Sequence, residues 1–385
     1  MIAAAALTAP LTAPLVAPLT VYLGAPDMIR LVRRVGLSAC IAGIADRIEG
    51  DFLRWHAFDK TARIASHSPD GTIELMPIAD DTLFAFKYVN GHPRNTRLGL
   101  PTVMAFGLLA DVATGAPRFL SELTLTTAIR TAATSALAAR ALARKDSRTM
   151  ALIGNGAQAE FQAIAFRDAL GIRELRLFDV DVRATAKLVA NLQGQGLKVR
   201  VAESVADAVR GADIVTTITA DKTRAIILSA DLIEPGMHLN AVGGDCPGKT
   251  ELDPAILERA SVFVEFEPQS RVEGEIQAMP ADFAVTELWQ VLAGKAPGRA
   301  QGVEASTQVT VFDSVGFAIE DLSALCFMRD KAAELGIGDT VELVPASADP
   351  KDLFGVLRDQ PNEALGPSLN DRLPAAGSSR YSRFP

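Results

Sequence analysis

The run Gly154-Asn155-Gly156-Ala157-Gln158-Ala159 fits G-x-G-x-x-A. It follows the apolar run TMALIG (149–154) and opens a helix-like segment at 157–170. Glycines at these places allow a tight turn and let backbone approach a pyrophosphate, which then meets the positive end of a helix. Asp179 closes the next strand-like run, 20 residues after Ala159. A carboxylate there can accept hydrogen bonds from an adenosine ribose and would repel a 2′-phosphate. The motif therefore points to NAD, a preference that nearby Arg183 weakens slightly.

Four further charges stand out. Lys87 interrupts the apolar run LFAFKYV (83–89), sharing a face with Leu83, Ala85 and Val89. It reads either as an edge-strand lysine facing water or as a carboxylate binder. Arg130 projects from a small apolar helical face made by Ala133, Thr134 and Leu137. Its fork suits a carboxylate, whether from a ligand or from an internal salt bridge. Arg63, in TARIASH, has a surface role by default. Asp245, in GGDCPGK (243–249), follows the apolar run MHLNAV. Loops at strand C-termini line the crevice of doubly wound sheets, so Asp245 is placed either for acid–base work or for a turn.

Composition narrows the chemistry. Net charge is 38 − 46 = −8 over 385 residues, which argues against a nucleic-acid partner. The four histidines have no HxxxH pair, and the three cysteines are far apart. Neither a metal site nor a disulfide framework is expected. Residues 1–20 repeat TAPL-like units, with Pro10, Pro14 and Pro18 breaking any helix. They read as a low-complexity leader, no membrane span is expected, and a cytoplasmic protein is the default.

The elements that must position these groups alternate in a definite order. Helical spacing predicts a helix over 37–60. Strands are expected at 72–78, 82–90, 102–112 and 117–123, forming an antiparallel sheet. A long alanine-rich helix should cover 123–144. From 149 onward strands (149–154, 174–180, 197–202, 212–219, 237–243, 261–267, 308–316) alternate with helices (157–170, 182–193, 317–335). That order implies a parallel sheet with helices on both faces. Residues 361–385, rich in Pro, Gly, Ser and Asn, read as a flexible tail.

The segments ARIASHS (62–68), IELMP (73–77), FKYVNGHP (86–93), RTAATSALAA (130–139), ALIGNGAQAEFQA (151–163), HLNAVGGDCPGKTEL (238–252) and FDSVGF (312–317) closely resemble the ornithine cyclodeaminase/mu-crystallin family. The resemblance covers about residues 28–355. It implies an α/β fold in which a Rossmann doubly wound NAD-binding domain (131–317) is inserted into an α+β substrate-binding and dimerisation domain (21–130 and 318–360). It also implies a homodimer and conversion of L-ornithine to L-proline and ammonia through imine intermediates. Lysine cyclodeaminase, amino-acid dehydrogenase, ketimine reductase and a non-catalytic nucleotide and small-ligand binder are the alternatives. By the same resemblance, Arg63, Lys87, Thr102, Arg130, Asp245 and Val315 are substrate residues, with Asp245 and Lys87 catalytic. Gly154, Gly156, Ala157, Gln158, Asp179, Thr219, Ala241, Val242, Lys249 and Ser314 are the implied NAD contacts.

Overall fold

The computed structural model describes residues 19–220, 224–347 and 349–358. The low-complexity leader expected at 1–20 and the tail expected at 361–385 fall almost wholly outside the described residues; the first described strand already begins at Thr20. Residues Thr20–Val341 form one compact unit. Among the described residues beyond it, Gly355–Leu357 makes a 3-10 turn.

The chain opens with β1 (Thr20–Leu23), α1 (Ala25–Val35) and α2 (Leu37–Leu53). Ile41, Ile44, Ile48 and Phe52 recur at helical spacing on α2 and are buried. The helix ends at Leu53, earlier than the expected residue 60. Past it the periodicity is misleading: Trp55–Ala57 forms a 3-10 turn, and β2 (Asp59–Lys60) pairs with Ile78 and Ala79. Tertiary strand pairing and burial of Trp55 outweigh local helical preference there. Next come β3 (Ile64–His67), β4 (Thr72–Ala79), β5 (Leu83–Gly91), β6 (Val103–Asp111) and β7 (Pro117–Glu122). Neighbours β4 to β7 pair antiparallel, as expected, and β3 adds to β4.

The alanine-rich helix α3 (Thr124–Leu142) leads into the second sheet. Residue 130, the expected domain boundary, lies inside this helix. The second sheet holds β8 (Thr149–Ile153), β9 (Glu174–Phe178), β10 (Lys198–Val201), β11 (Ile214–Thr217), β13 (His238–Ala241), β15 (Ser261–Val264), β16 (Thr286–Glu287) and β17 (Thr310–Asp313). A separate pair joins β12 (Arg224–Leu228) to β14 (Thr250–Leu252). The large sheet is parallel throughout, in the order β10-β9-β8-β11-β13-β17-β15-β16. The order reverses between β8 and β11, the Rossmann switch point where ligands bind beyond the strand C-termini. Between strands lie α4 (Ala159–Leu170), α5 (Val182–Asn191), α6 (Val205–Val209), α7 (Pro254–Leu257), α8 (Glu267–Glu273) and α9 (Leu288–Leu292).

From β17 the chain returns to the first sheet through α10 (Ala318–Leu335), and β18 (Asp339–Val341) pairs with β1. Helix α10 is buried along most of its length, under the inner face of the first sheet. An aromatic cluster joins the two sheets. Trp55 lies 5.6–6.1 Å from the rings of Phe52, Phe266, Trp289 and Phe317. Phe317 sits where the chain crosses back, so this cluster ties that crossing to α2 and the second sheet by burying large aromatic surfaces.

Candidate active site

The turn after β8 has the conformation its glycines require. Gly154 has φ 95°, and a Cβ there would lie 2.8 Å from the Ile218 carbonyl oxygen. Gly156 faces open space instead. Asp179 is held at the end of β9: Oδ2 accepts from the Asn155 N–H at 2.6 Å and Oδ1 from the Asp181 N–H at 2.8 Å. Asp181 caps α5 and holds Arg183 locally. Exposed Ala157 lies on the same turn. Gln158 is partly turned away, its amide donating to the Ala128 carbonyl on α3 at 2.9 Å. Ala241, Val242 and Ser314 lie at the adjoining strand ends, where Val242 N–H bonds Thr217 and Ser314 N–H bonds Ala241. These residues fit a dinucleotide: close backbone, an open glycine and an oriented carboxylate.

Across the crevice the structure brings Arg63, Lys87 and Arg130 together. Lys87 points inward from β5 and is 1% exposed. Its ammonium donates to Asp321 Oδ1 at 2.8 Å, and Arg130 Nε donates to the same oxygen at 3.0 Å. Arg130 Nη1 also reaches Glu320 at 2.8 Å. Asp321 and Glu320 occupy the first turn of α10, where the helix dipole favours negative charge. Arg130 thus makes the internal salt bridges that were one reading of its position. The water-facing reading of Lys87 and the surface default for Arg63 are corrected, because the first sheet turns its inner face onto α10.

Arg63 sits just before β3, and its side chain is buried. It donates to Glu74 at 2.9 Å and to the carbonyls of Val315 and Gly316. Its Nε lies 2.9 Å from Glu273, as an ion pair without hydrogen-bond alignment. Gly316 has φ 76° and lies close under Arg130, where a Cβ would not fit. Thr102 lies on the loop before β6. Its carbonyl accepts from His92, and among the described residues no hydrogen bond links its hydroxyl to the cations.

Asp245 stands exposed at the rim, 3.2 Å from Lys249 Nζ. Lys249 itself is buried and also donates to the Thr219 carbonyl at 2.9 Å. Burial alone would lower the Lys249 ammonium, but Asp245 and Glu251 outweigh it and hold it above the usual lysine range. Burial, reinforced by Arg130, pushes Lys87 down to about 8 against the pull of Asp321. Burial works on Arg63 too, yet Glu74, Glu273 and Asp245 keep it firmly charged.

Residues 26–336 match the ornithine cyclodeaminase/mu-crystallin family. The chain belongs to this family. An ornithine cyclodeaminase of Brucella suis biovar 1 (strain 1330) is 54% identical over 336 residues, covering 87% of this chain and 93% of that protein. A solved lysine cyclodeaminase, described for recognition of L-lysine, L-ornithine and L-2,4-diaminobutyric acid, is 34% identical with a TM-score of 0.81. It covers 86% of this chain and 98% of its own. An archaeal alanine dehydrogenase dimer with bound NAD is 29% identical with a TM-score of 0.76, covering 85% and 100%. Family membership agrees with the doubly wound sheet and with the NAD-type turn.

Sequence reasoning missed the acidic half of this family member's site: Glu74, Glu273, Glu320 and Asp321, with Glu265 behind them. Glu265 accepts from Ser314 Oγ at 2.6 Å and from two backbone N–H groups of the 314–316 loop. A usable signal existed, since Glu265 and Asp313 end or follow apolar strands just as Asp179 does. Among the described residues no cluster suited to a metal ion occurs, and no helix is long and apolar enough to cross a membrane.

These buried acids make stability pH-dependent. Burial raises Asp313 and Glu273 to about 7 and Glu275 to about 8, and raises Glu265 and Glu320 as well. The folded state then holds protons that unfolded carboxyls, near 4.5, release, so stability falls as pH rises toward 8. His238, lowered to about 3 by burial, acts in the opposite sense below about 6.5. Lys87, charged at a cost below about 8, regains stability above it. Urea unfolding free energies should therefore decline from about pH 6.5 to 8 and level or recover beyond. A steady rise across pH 6.5–8 would contradict this charge assignment.

Proposed function

We propose that this chain is an NAD-dependent ornithine cyclodeaminase, converting L-ornithine to L-proline and ammonia. The reading rests on one observation: three buried cations, Arg63, Lys87 and Arg130, share the crevice with four carboxyls, Glu74, Glu273, Glu320 and Asp321. The cations suit an amino-acid carboxylate through bidentate and point-charge contacts. The surplus acid suits a substrate with a second amine better than a simple zwitterion. Similarity to ornithine cyclodeaminases and to a lysine cyclodeaminase supports the same substrate class.

In this reading the first sheet and α10 form the substrate half, and the parallel sheet forms the dinucleotide half. Gly154, Gly156 and Asp179 would hold NAD, which would supply reversible hydride-transfer chemistry at the substrate. Arg63, Arg130 and Lys87 fix the substrate carboxylate so that Cα faces the nicotinamide, a positioning task. Asp245, at the rim between Lys249 and Arg63, takes and returns protons as the δ-amine displaces the α-nitrogen. The second reading, lysine cyclisation, needs room for one more methylene, a difference worth only about 1–3 kcal/mol.

The outer face of the first sheet supports a homodimer. Ile73, Leu75, Phe84 and Phe106 are exposed there, beside the stacked rings of Tyr88 and Phe106. A contiguous apolar face of this kind marks an association surface. A second copy is the occupant we propose, and the related alanine dehydrogenase is a dimer.

Incubation with L-ornithine and NAD should yield proline and ammonia with no net NADH. Stoichiometric NADH would point to a simple dehydrogenase, and faster turnover of L-lysine would favour the second reading. Asp245→Asn should bind NAD normally and lose about two to four orders of magnitude in turnover; near-normal turnover would remove Asp245 from the mechanism. Sedimentation should show a dimer that Phe106→Lys dissociates, and a wild-type monomer would refute the sheet-to-sheet pairing.

A further inference from the structure

Three buried carboxylates form a chain behind the crevice that the mechanism does not use. Asp313, at the end of β17, accepts the N–H of Glu275 at 2.9 Å and that of Ile276 at 3.0 Å, one on each oxygen. Glu275 in turn accepts Glu251 N–H at 2.8 Å and Leu252 N–H at 3.0 Å, again one on each oxygen. Glu251 accepts Thr219 N–H at 2.8 Å and Gly243 N–H at 3.1 Å, and receives the Thr219 hydroxyl as well. All three are almost wholly buried, and among the described residues none has an ion-pair partner. Burying three acids without an ion-pair partner is costly, even with backbone donors and the Thr219 hydroxyl to satisfy them.

The glycines beside them give an independent sign. A Cβ at Gly243 would overlap the Glu251 carboxyl, one at Gly274 would overlap the Asp313 carboxyl, and one at Gly244 would lie 2.7 Å from Glu275 Oε1. None of these glycines has a positive φ. Glycine leaves room there for each carboxyl to approach the chain closely. The two glycines before Asp245 are thereby explained by the carboxylates behind them rather than by turn geometry.

We propose that Glu251, Glu275 and Asp313 are a ladder of positioning residues that clamps the Gly243–Asp245 loop and the Thr219 rim in ligand-binding geometry. The ladder ties the ends of β11, β13 and β17 to one another through side chains, at the edge where the dinucleotide and Asp245 meet. It acts through Thr219 and Gly243 and touches neither substrate nor cofactor itself. The inference rests on the proposed NAD site.

The test measures NAD affinity of the full chain by calorimetry, with folding checked by circular dichroism and thermal unfolding. Wild type must bind NAD; if it does not, the proposed function fails and the ladder with it. Glu251→Gln, which sets an amide N–H against a backbone N–H, should weaken NAD binding about tenfold or more. Asp313→Asn, two steps from the rim, should do so as well, and the double variant should be no weaker than the worse single one, because linked groups do not add. Gly244→Ala should reproduce the loss without removing any carboxylate. Leu257→Ala, a buried control outside the ladder, should lower thermal stability and leave NAD affinity unchanged. If wild type binds NAD while folded Asp313→Asn and Gly244→Ala stay within twofold of it, the ladder is overturned and the NAD site stands. Multiplicative losses in the double variant overturn it equally. If Asp313→Asn does not fold, Gly244→Ala alone decides.

Discussion

Asp321 Oδ1 receives both the Lys87 ammonium and the Arg130 guanidinium, and the rest of the site depends on that shared oxygen. Two cations this close would repel each other in a medium of low dielectric. One carboxylate between them makes the arrangement tolerable, and Glu320 completes the shell around Arg130. Removing one member of such a buried set typically costs about 3–5 kcal/mol. The carboxylates therefore belong to the same functional unit as the cations they hold.

That constraint accounts for the topology. Lys87 lies on β5, Arg130 on α3, and Asp321 near the start of α10, after the whole parallel sheet. The chain must leave the first sheet, build the dinucleotide half and return before the charges can be balanced. The return passes through Ser314, Val315 and Gly316, whose backbone is gripped by Glu265 on one side and Arg63 on the other. The aromatic cluster around Trp55 and Phe317 packs at the same crossing. Charge balance and aromatic packing thus fix the same few residues, leaving the crevice walls little freedom to drift apart.

Much of this was legible in the residues. Alternation after 149 identifies the parallel sheet, because strand and helix periods differ and each run is long enough to show one. Asp179 is readable because its distance from the glycine turn is set by one strand–helix–strand unit. The failures have physical causes too. The helix predicted to 60 stops at 53 because β4 offers Asp59 and Lys60 a strand partner that local periodicity cannot reveal. Arg63 looks exposed because nothing near it in sequence shows Glu273 or the 315–316 carbonyls, which lie more than 200 positions away. Lys87 could be singled out as an oddity in an apolar run, while its counterion could not.

The carboxyl-rich surroundings bear on selectivity in a way the cations alone do not. A pocket built only to bind a carboxylate would do best with an excess of positive charge. Here Glu74 and Glu273 flank Arg63, and burial pushes Glu273 up to about 7. That acid is therefore poised between its neutral and ionised forms near neutral pH. A substrate amine arriving beside it would favour the ionised form, since an opposite charge within a few ångströms stabilises the carboxylate. Both acids already face Arg63, so a second amine would add to a partly balanced set. With a one-amine ligand Glu273 can instead hold its proton, so no unpaired buried charge results. Under the proposed function, Glu273 is thus the acid beside Arg63 that can answer a second amine by ionising.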